Sequence, residues 1–195
     1  YDDLEDILNK KKSKQKYALL TFDDGYLEHY DFVLPELKSA NLKGVFSVPL
    51  INFKLKNNLL DINKIQILSN SISLQDKIIN KINLSMKEIN VDISKLKKNY
   101  YVKGRLDDKK TNFIKKTLQL GYKIKEIKIS DLIFNNFYNA KINNYYENLY
   151  FKKKHLVDFK KHNMTFCAHG VTHSKFTSMN KNDLNYELLK SKNLL

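Results

Sequence analysis

The chain has 195 residues, of which 42% are hydrophobic, so it can form a folded core and wholesale disorder is excluded. Its formal net charge is +14, but every basic residue except Arg105 is a lysine, whereas arginine is preferred in contacts with bases and phosphates; no nucleic-acid partner is predicted. The single cysteine, Cys167, excludes an internal disulfide, and no apolar run could span a bilayer. No signal peptide precedes Tyr1, so the compartment stays open between cytoplasm and cell envelope.

The first predicted strand ends in two adjacent carboxylates. Residues 1–16 form a lysine-rich lead-in, and the β-branched and aromatic run Tyr17–Phe22 predicts a short buried strand. Asp23, Asp24 and then Gly25 follow directly. Two anions at the end of a buried strand are unfavourable unless they share a cation or a proton, so this position is a candidate site.

The next elements predict a βαβ unit. Tyr30–Leu42 has helical periodicity, with Pro35 in its first turn, where proline is tolerated. Gly44 closes the following turn, and Val45–Val48 predicts a second buried strand. Strands joined in this way are parallel.

Residues 51–144 predict an all-helical insertion. Proline is absent there, and Ile, Leu, Lys and Asn recur at helical spacing. Ser73 and Thr111 are the predicted N-caps of two helices, and the apolar residues around Ile124 and Ile127 and in 132–137 predict another pair. The insertion contains no histidine and therefore supplies no imidazole for ligation or proton transfer. A lid or packing subdomain is expected.

Alternating helix and strand patterns return in residues 145–195. Leu149–Lys161 predicts a helix, Met164–Ala168 a strand, and a last helix begins near Lys181 with Ser178 or Asn180 as its cap. With residues 17–50, this segment predicts an α/β fold, a partial (β/α) barrel interrupted by the insertion.

His169 and His173 follow the predicted strand Met164–Ala168, just as Asp23 and Asp24 follow the predicted strand Tyr17–Phe22. The carboxyl ends of parallel strands are where α/β folds bind ligands. Two imidazoles and one carboxylate are a usual ligand set for catalytic zinc, and the second carboxylate is then free to act as a base. The alternatives are a histidine pair on a surface or in a core, and an Asp-Asp-Gly turn without function. Surface or packing roles are predicted for the other three histidines, His29, His155 and His162.

The segment Thr21–Tyr26, TFDDGY, resembles the first motif of the polysaccharide deacetylases, metal-dependent carbohydrate esterases of the chitin-oligosaccharide deacetylase (NodB homology) type. TFDDG would arise by chance about once in ten thousand chains of this length. Ala168–His173, AHGVTH, resembles the second motif, and residues 182–189 resemble a helix of the family. The inserted helices are similar to those of a bacterial subgroup with a helical excursion between the two motifs.

The resemblance implies a distorted (β/α) barrel and a hydrolase that removes acetyl groups from an N-acetylated amino-sugar polysaccharide or glycan. It implies that Asp23 is the catalytic base and that one divalent ion, zinc before other transition metals, is held by three ligands, Asp24, His169 and His173. Gly25 and Thr172 would support the two loops. The family often has Ser or Thr where this chain has Gly170, and Thr172 is expected to take over that hydrogen bond.

The family's later motifs are missing from the chain. They contribute an arginine, a proline-aromatic pair, a tryptophan and a late histidine that acts as a general acid. The sequence has no Trp, no proline after Pro49 and no histidine after His173. A fragment of a longer enzyme is therefore predicted. The alternatives are a catalytically inactive relative that binds carbohydrate or acts as a scaffold, and a basic nucleic-acid-binding protein.

Overall fold

The computed structural model describes residues 18–54, 59–138 and 142–192, which form a mixed α/β structure. The lead-in predicted for residues 1–16 lies outside the described residues. A small parallel sheet carries both sequence motifs, and a mainly helical segment is inserted between its second and third strands.

Three parallel strands form the sheet: β1 (Thr21–Asp23), β2 (Val45–Val48) and β3 (Thr165–Ala168). β2 lies in the centre, with Phe22 opposite Phe46 on one side and Phe46 opposite Phe166 on the other. Because all three strands run in the same direction, their carboxyl ends meet at one edge. The segments that follow β1 and β3 are thereby brought to the same end of the sheet.

The first strand is shorter and less buried than predicted. β1 begins at Thr21, and Tyr17 lies outside the described residues. Leu19 is 59% exposed and Leu20 37%, and within β1 only Phe22 is even half-buried. The reason is topological, because β1 is an edge strand that pairs with β2 alone among the described residues.

The predicted βαβ unit is present. A π-helical turn, His29–Val33, continues directly into the α-helix Leu34–Ser39, and Pro35 lies in the first turn of that helix as predicted. Asn41 then adopts a left-handed conformation with φ of 51°, and the chain enters β2.

Helices dominate the region between β2 and β3. Their bounds are Ile51–Lys54, Asp61–Asn70, Gln75–Glu88, Ile93–Tyr100, Lys109–Leu118, Ile129–Tyr138 and Ile142–Leu149. They pack around a cluster of buried residues that is mainly aliphatic and includes Ile65, Ile78 and Phe113.

The prediction that this region is entirely helical is wrong at one place. Residues 123–128, which include Ile124 and Ile127, form a two-stranded antiparallel hairpin, Lys123–Ile124 with Ile127–Lys128. Lys125 and Glu126 both have positive φ, 46° and 66°, as the two central residues of a tight hairpin turn require. The strands are too short for a period of two to be recognised, and the turn lacks the usual Asn-Gly or Asp-Gly signature.

Both N-caps predicted in this region are wrong. Ser73 lies inside a 3₁₀ turn, Ile72–Leu74, that precedes the helix Gln75–Glu88. Asp108 caps the helix Lys109–Leu118 by accepting a hydrogen bond from the Thr111 backbone N–H, so Thr111 lies within the first turn. Aspartate and threonine are both good N-caps, and their spacing alone did not decide between them.

The C-terminal part agrees with the predictions except for one helix. The predicted helix Leu149–Lys161 is interrupted, because Tyr150 forms an isolated β-bridge with Tyr26 and helical structure resumes at the 3₁₀ turn Lys153–His155. The α-helix Leu156–Lys161 then leads to β3. The last helix, Lys181–Lys192, begins where predicted, and the side chain of Asn180 accepts a hydrogen bond from the Asp183 N–H.

The sheet has its own, smaller hydrophobic cluster. Aromatic rings form its centre, with Phe46, Phe151 and Phe159 fully buried against one another. The described residues form an open sheet rather than a closed barrel. Among them, no helix combines the length and apolar character needed to cross a bilayer, and Cys167 is unpaired.

Candidate metal centre

The loop after β1 turns sharply over the end of the sheet. Asp24 and Gly25 both have left-handed backbone conformations, with φ of 72° and 67°. A Cβ on Gly25 would lie only 2.9 Å from a methyl group of Val48, so only glycine allows this close approach. The strain at Asp24 is that of a non-glycine residue with positive φ, a feature concentrated at functional sites.

Two hydrogen bonds from outside the loop hold its backbone. The Asn52 side-chain amide donates to the Asp24 carbonyl oxygen at 2.7 Å, and the Phe151 N–H donates to the Gly25 carbonyl at 3.1 Å. Asn52 is buried, in the short helix that follows β2. The main chain at Asp24 is therefore fixed from two directions.

The loop after β3 is tied to the segment after β2. The backbone N–H groups of Leu50 and Ile51 donate to the carbonyls of Gly170 and Val171, at 3.2 and 2.9 Å. Gly170 and His173 have positive φ, 73° and 58°, so this loop curls back on itself. The curl brings His173 alongside His169, with ring centroids 4.8 Å apart.

Glu187 anchors the histidine loop from the last helix. Its buried carboxylate accepts hydrogen bonds from the backbone N–H groups of Val171 and Thr172 and from the Thr172 hydroxyl. A Cβ on Gly170 would lie 2.9 Å from Glu187 Oε2. Glycine at this position therefore leaves room for the carboxylate, and Thr172 contributes to loop support together with Glu187.

Three side chains converge between the two loops. Asp24 Oδ1 lies 3.0 Å from His173 Nε2 and 3.4 Å from His169 Nε2, and the two imidazole nitrogens are 3.1 Å apart. All three residues are half-buried. Within the described residues, this is the group of His, Cys, Asp and Glu side chains with the geometry to hold a metal ion.

The geometry of this triad fits a divalent cation. Tetrahedral zinc with bonds of about 2.0–2.1 Å places its ligand atoms about 3.3 Å apart, close to the three separations observed. Asp24 Oδ1 is buried, and no contact to it has hydrogen-bond geometry, although two imidazole nitrogens lie beside it. A buried carboxylate oxygen in this state is unfavourable, and a shared cation would satisfy it.

The charges in the site favour an ionised carboxylate. Burial on its own would raise the pKa of Asp24, but the contacts with His169, His173 and Tyr26 outweigh burial and hold that pKa well below its usual range. Contact with Asp24 raises the pKa of His169 above its usual value, against the effect of burial. Burial raises the pKa of Tyr26, so its hydroxyl stays a donor.

Asp23, the predicted base, lies outside the triad. It is the last residue of β1 and is exposed, and its negative charge contributes to the raised pKa of His169. His29 packs among the rings of Phe22, Tyr26 and Phe46. The other two histidines lie away from the triad: His155 stacks on Tyr30, and His162 is exposed beyond the helix Leu156–Lys161.

A cleft of about 1490 Å³ opens beside both histidines. Residues of β3 and of the segment after it, including His173 and Phe176, line one part of the cleft, and residues of the inserted segment line another. The inserted segment contributes both apolar and polar residues: Asp61, Ile62, Ile65, Gln119, Leu120, Gly121, Lys123 and Lys128. The cleft exceeds the usual range for small-ligand sites, so it has room for an extended ligand beside the triad.

Three residues that support the site were not predicted from the sequence. Glu187 was recognisable only as one member of a helix pattern, and Asn52 carried no signal beyond a polar residue shortly after β2. Tyr26 lay inside the first motif without an assigned role, although its hydroxyl donates to Asp24 Oδ2 at 3.1 Å. In each case the partner is distant in sequence or the contact depends on an unusual backbone conformation.

Comparison of the chain with protein-family models, with curated proteins and with solved structures gave no match. The function therefore has to be argued from the fold and the site. These define an α/β protein whose parallel sheet carries, at its carboxyl edge, one Asp and two His in a geometry suited to a metal ion.

Proposed function

We propose that the chain is part of a metal-dependent hydrolase that removes N-acetyl groups from an amino-sugar polysaccharide or glycan. The convergence of Asp24, His169 and His173 on one point, from loops nearly 150 residues apart in sequence, carries this proposal. The resemblance of the two loops to the polysaccharide deacetylase motifs supplies the reaction. In this proposal the three strands belong to a distorted (β/α) barrel of that family.

Each residue has a defined task in the proposed reaction. Asp24 Oδ1 and the two Nε2 atoms hold one divalent ion, and their N₂O ligand set suits zinc. When bound, the ion acts as a Lewis acid that polarises the acetamide carbonyl and acidifies water. The Asp23 carboxylate accepts the proton of the attacking water. Glu187 and Asn52 keep the two loops in place while the C–N bond breaks. The leaving nitrogen takes a proton from a general acid, which in the family is the late histidine that this chain lacks, so that acetate and a free amine are released.

Metal analysis tests whether Asp24, His169 and His173 bind a metal ion. After dialysis against a chelator and reloading with zinc, we expect about one zinc ion per chain, measured by mass spectrometry of the metal. Asp24→Ala and His173→Ala are expected to lose that ion. His162→Ala, which removes an exposed histidine away from the triad, is the matched control and is expected to keep it.

Acetate release from N-acetylglucosamine oligomers tests the proposed deacetylation. The assay is run on the zinc-loaded chain and, in parallel, on a longer gene product that contains it. We expect Asp23→Asn to retain zinc and to lose acetate release. Stoichiometric zinc without acetate release in both proteins would favour the inactive carbohydrate-binding relative. DNA binding with steep salt dependence and no zinc would favour the nucleic-acid alternative.

A further inference from the structure

The two oxygens of the Asp24 carboxylate have different surroundings. Oδ1 faces His169 and His173, whereas Oδ2 accepts a hydrogen bond from the Tyr26 hydroxyl at 3.1 Å. With Oδ2 occupied in this way, Oδ1 alone is directed at the point where the imidazole nitrogens meet. The rotation of this carboxylate is therefore controlled by Tyr26.

Tyr26 is the last member of a chain of hydrogen bonds that begins in the inserted helical segment. The Leu60 N–H donates to the Tyr150 oxygen at 3.0 Å, and the Tyr150 hydroxyl donates to Asn63 Oδ1. Asn63 Nδ2 then donates to the Tyr26 oxygen at 2.7 Å, and Tyr26 donates to Asp24. Four consecutive bonds thus connect the insertion with the proposed metal ligand.

The direction of every bond in this chain is determined by its first donor. A backbone N–H can only donate, so the Tyr150 oxygen accepts from Leu60 and its single proton goes to Asn63. Asn63 must then present its NH₂ group to Tyr26, and the Tyr26 proton is left for Asp24. The second amide proton of Asn63 is used as well, in a bond to Gln66 Oε1 at 3.1 Å.

The residues of this hydrogen-bond series are also held firmly in place. Tyr150 and Asn63 are 1% and 3% exposed, and the rings of Tyr26 and Tyr150 stack nearly parallel, 13° apart in orientation. Burial raises the pKa of Tyr150, so its hydroxyl keeps its proton. Buried, fully satisfied networks hold a single arrangement.

We propose that Asn63 and Tyr26 are positioning residues through which the inserted helical segment orients Asp24, so that the carboxylate binds the ion through Oδ1 alone. This inference rests on the metal site of the proposed function. The insertion then forms part of the metal centre as well as part of the lining of the cleft. Groups that orient metal ligands in this way commonly change metal affinity by about 10–100-fold when they are removed.

A double-mutant cycle measured by zinc affinity tests this proposal. Zinc dissociation constants are determined by competition with a chromophoric chelator for the wild type, Tyr26→Phe, Asn63→Leu and the double variant. We expect Tyr26→Phe to weaken zinc binding about 10–100-fold and Asn63→Leu to weaken it less. Because Asn63 acts through Tyr26, the double variant is expected to bind zinc no more weakly than Tyr26→Phe alone.

The absorption spectrum of the cobalt-loaded protein supplies a readout that loss of stability alone does not change. Tyr26→Phe is expected to alter the cobalt bands because the carboxylate is free to rotate. Tyr30→Phe is the matched control, since it also removes a tyrosine hydroxyl that donates to an aspartate, Asp158, away from the triad. We expect its zinc affinity and cobalt spectrum to equal those of the wild type.

The outcomes separate this inference from the function on which it rests. Wild-type affinity and spectrum in Tyr26→Phe, or additive losses in the double variant, would overturn the positioning role while leaving the metal site intact. A wild type that binds no zinc overturns the metal site and the positioning role together. Circular dichroism verifies the fold of each variant, and Asn63→Ser replaces Asn63→Leu in the cycle if the latter does not fold.

Discussion

Residues 59–150, which contain most of the helices between β2 and β3, and the sheet that carries the motifs are stabilised in different ways. The helical segment has the larger, mainly aliphatic cluster, and carboxylates such as Asp92 and Asp108 cap its helices. The sheet has a smaller cluster with aromatic rings at its centre, and Asp24 and His173 in its loops have left-handed conformations, as Lys125 and Glu126 have in the helical segment. All five histidines lie outside residues 59–150.

Polar contacts hold the loops of the sheet in place, and buried polar side chains such as Gln75 and Asn112 also form hydrogen bonds within the helical segment. Asn52, Glu187 and the hydrogen bonds that lead to Tyr26 each hold one of these loops. Residues held in strained conformations persist only when their surroundings over-determine them. The stability of the site should therefore depend strongly on single buried hydrogen-bonding groups.

The largest difference between the two regions is expected in the stability lost when a carboxylate that accepts hydrogen bonds from backbone N–H groups is removed. Glu187→Ala leaves the buried Val171 N–H and the half-buried Thr172 N–H without their acceptor, whereas the Thr172 hydroxyl keeps a partner in Ser174 Oγ. We expect a loss of about 3 kcal/mol in the free energy of unfolding, measured by urea denaturation, together with weaker zinc binding.

Asp92→Ala is the matched change in the helical segment. Asp92 also accepts from two backbone N–H groups, those of Ser94 and Lys95, but it is exposed, and water can replace it. A loss of about 1 kcal/mol is expected, with zinc binding unchanged. Equal losses in the two variants would contradict the view that the loops of the sheet depend on buried polar contacts.

A smaller difference is expected between two glycines with nearly the same backbone conformation. Gly170 and Gly121 have φ of 73° and 70°, but a Cβ on Gly170 would meet Glu187 at 2.9 Å, whereas a Cβ on Gly121 has no atom within 4 Å. Gly121→Ala is expected to lower the unfolding free energy by about 1 kcal/mol through backbone strain alone. Gly170→Ala should cost about 1–2 kcal/mol more, since the carboxylate of Glu187 must move.

Thermal unfolding of the two variants, with and without zinc, measures this difference. The excess cost of Gly170→Ala should disappear in a Glu187→Ala background, because the clash is then absent, whereas the cost of Gly121→Ala should stay the same in that background. An excess cost that persists without Glu187 would show that the strain at Gly170 has another source.

The sequence allowed the parts of the fold with strong local patterns to be predicted. β2, the helix that follows β1 and the Asn180 cap were found where apolar runs and capping residues indicated them. The convergence of Asp24 with His169 and His173 was expected because the motifs follow parallel strands, whose carboxyl ends meet.

What could not be predicted depends on contacts that the local sequence does not encode. The Lys125–Glu126 turn needs positive φ at two residues that rarely adopt it, and tertiary packing imposes that conformation. The interruption at Tyr150 arises from its pairing with Tyr26, more than 120 positions away. Glu187 supports the histidine loop from the last helix. That helix was predicted from its apolar residues and its cap, and they give no indication of what Glu187 contacts.

The smallest expected effect is a dependence of the unfolding free energy on pH that arises from His169, in the loop after β3. Contact with Asp24 raises the pKa of His169 above its usual 6.5, so protonated His169 stabilises the zinc-free fold below pH 6.5. That contribution is lost as the pH rises through the raised pKa. Burial lowers the pKa of His29 and of His155, so these two residues make the fold more stable as the pH rises through 6.5, and they oppose the trend until about one pH unit above that value.

Urea denaturation above about pH 7.5, where the contributions of His29 and His155 are complete, should therefore show the zinc-free protein becoming less stable as the pH rises. The zinc-loaded protein should show the opposite slope, because a ligating imidazole must be unprotonated and zinc binding strengthens as His169 loses its proton. His169→Gln is expected to flatten the zinc-free slope, whereas His162→Gln, at an exposed position, should leave it unchanged. If His169→Gln keeps the wild-type slope, the pH dependence arises elsewhere, and the Asp24–His169 contact does not contribute to the stability of the fold.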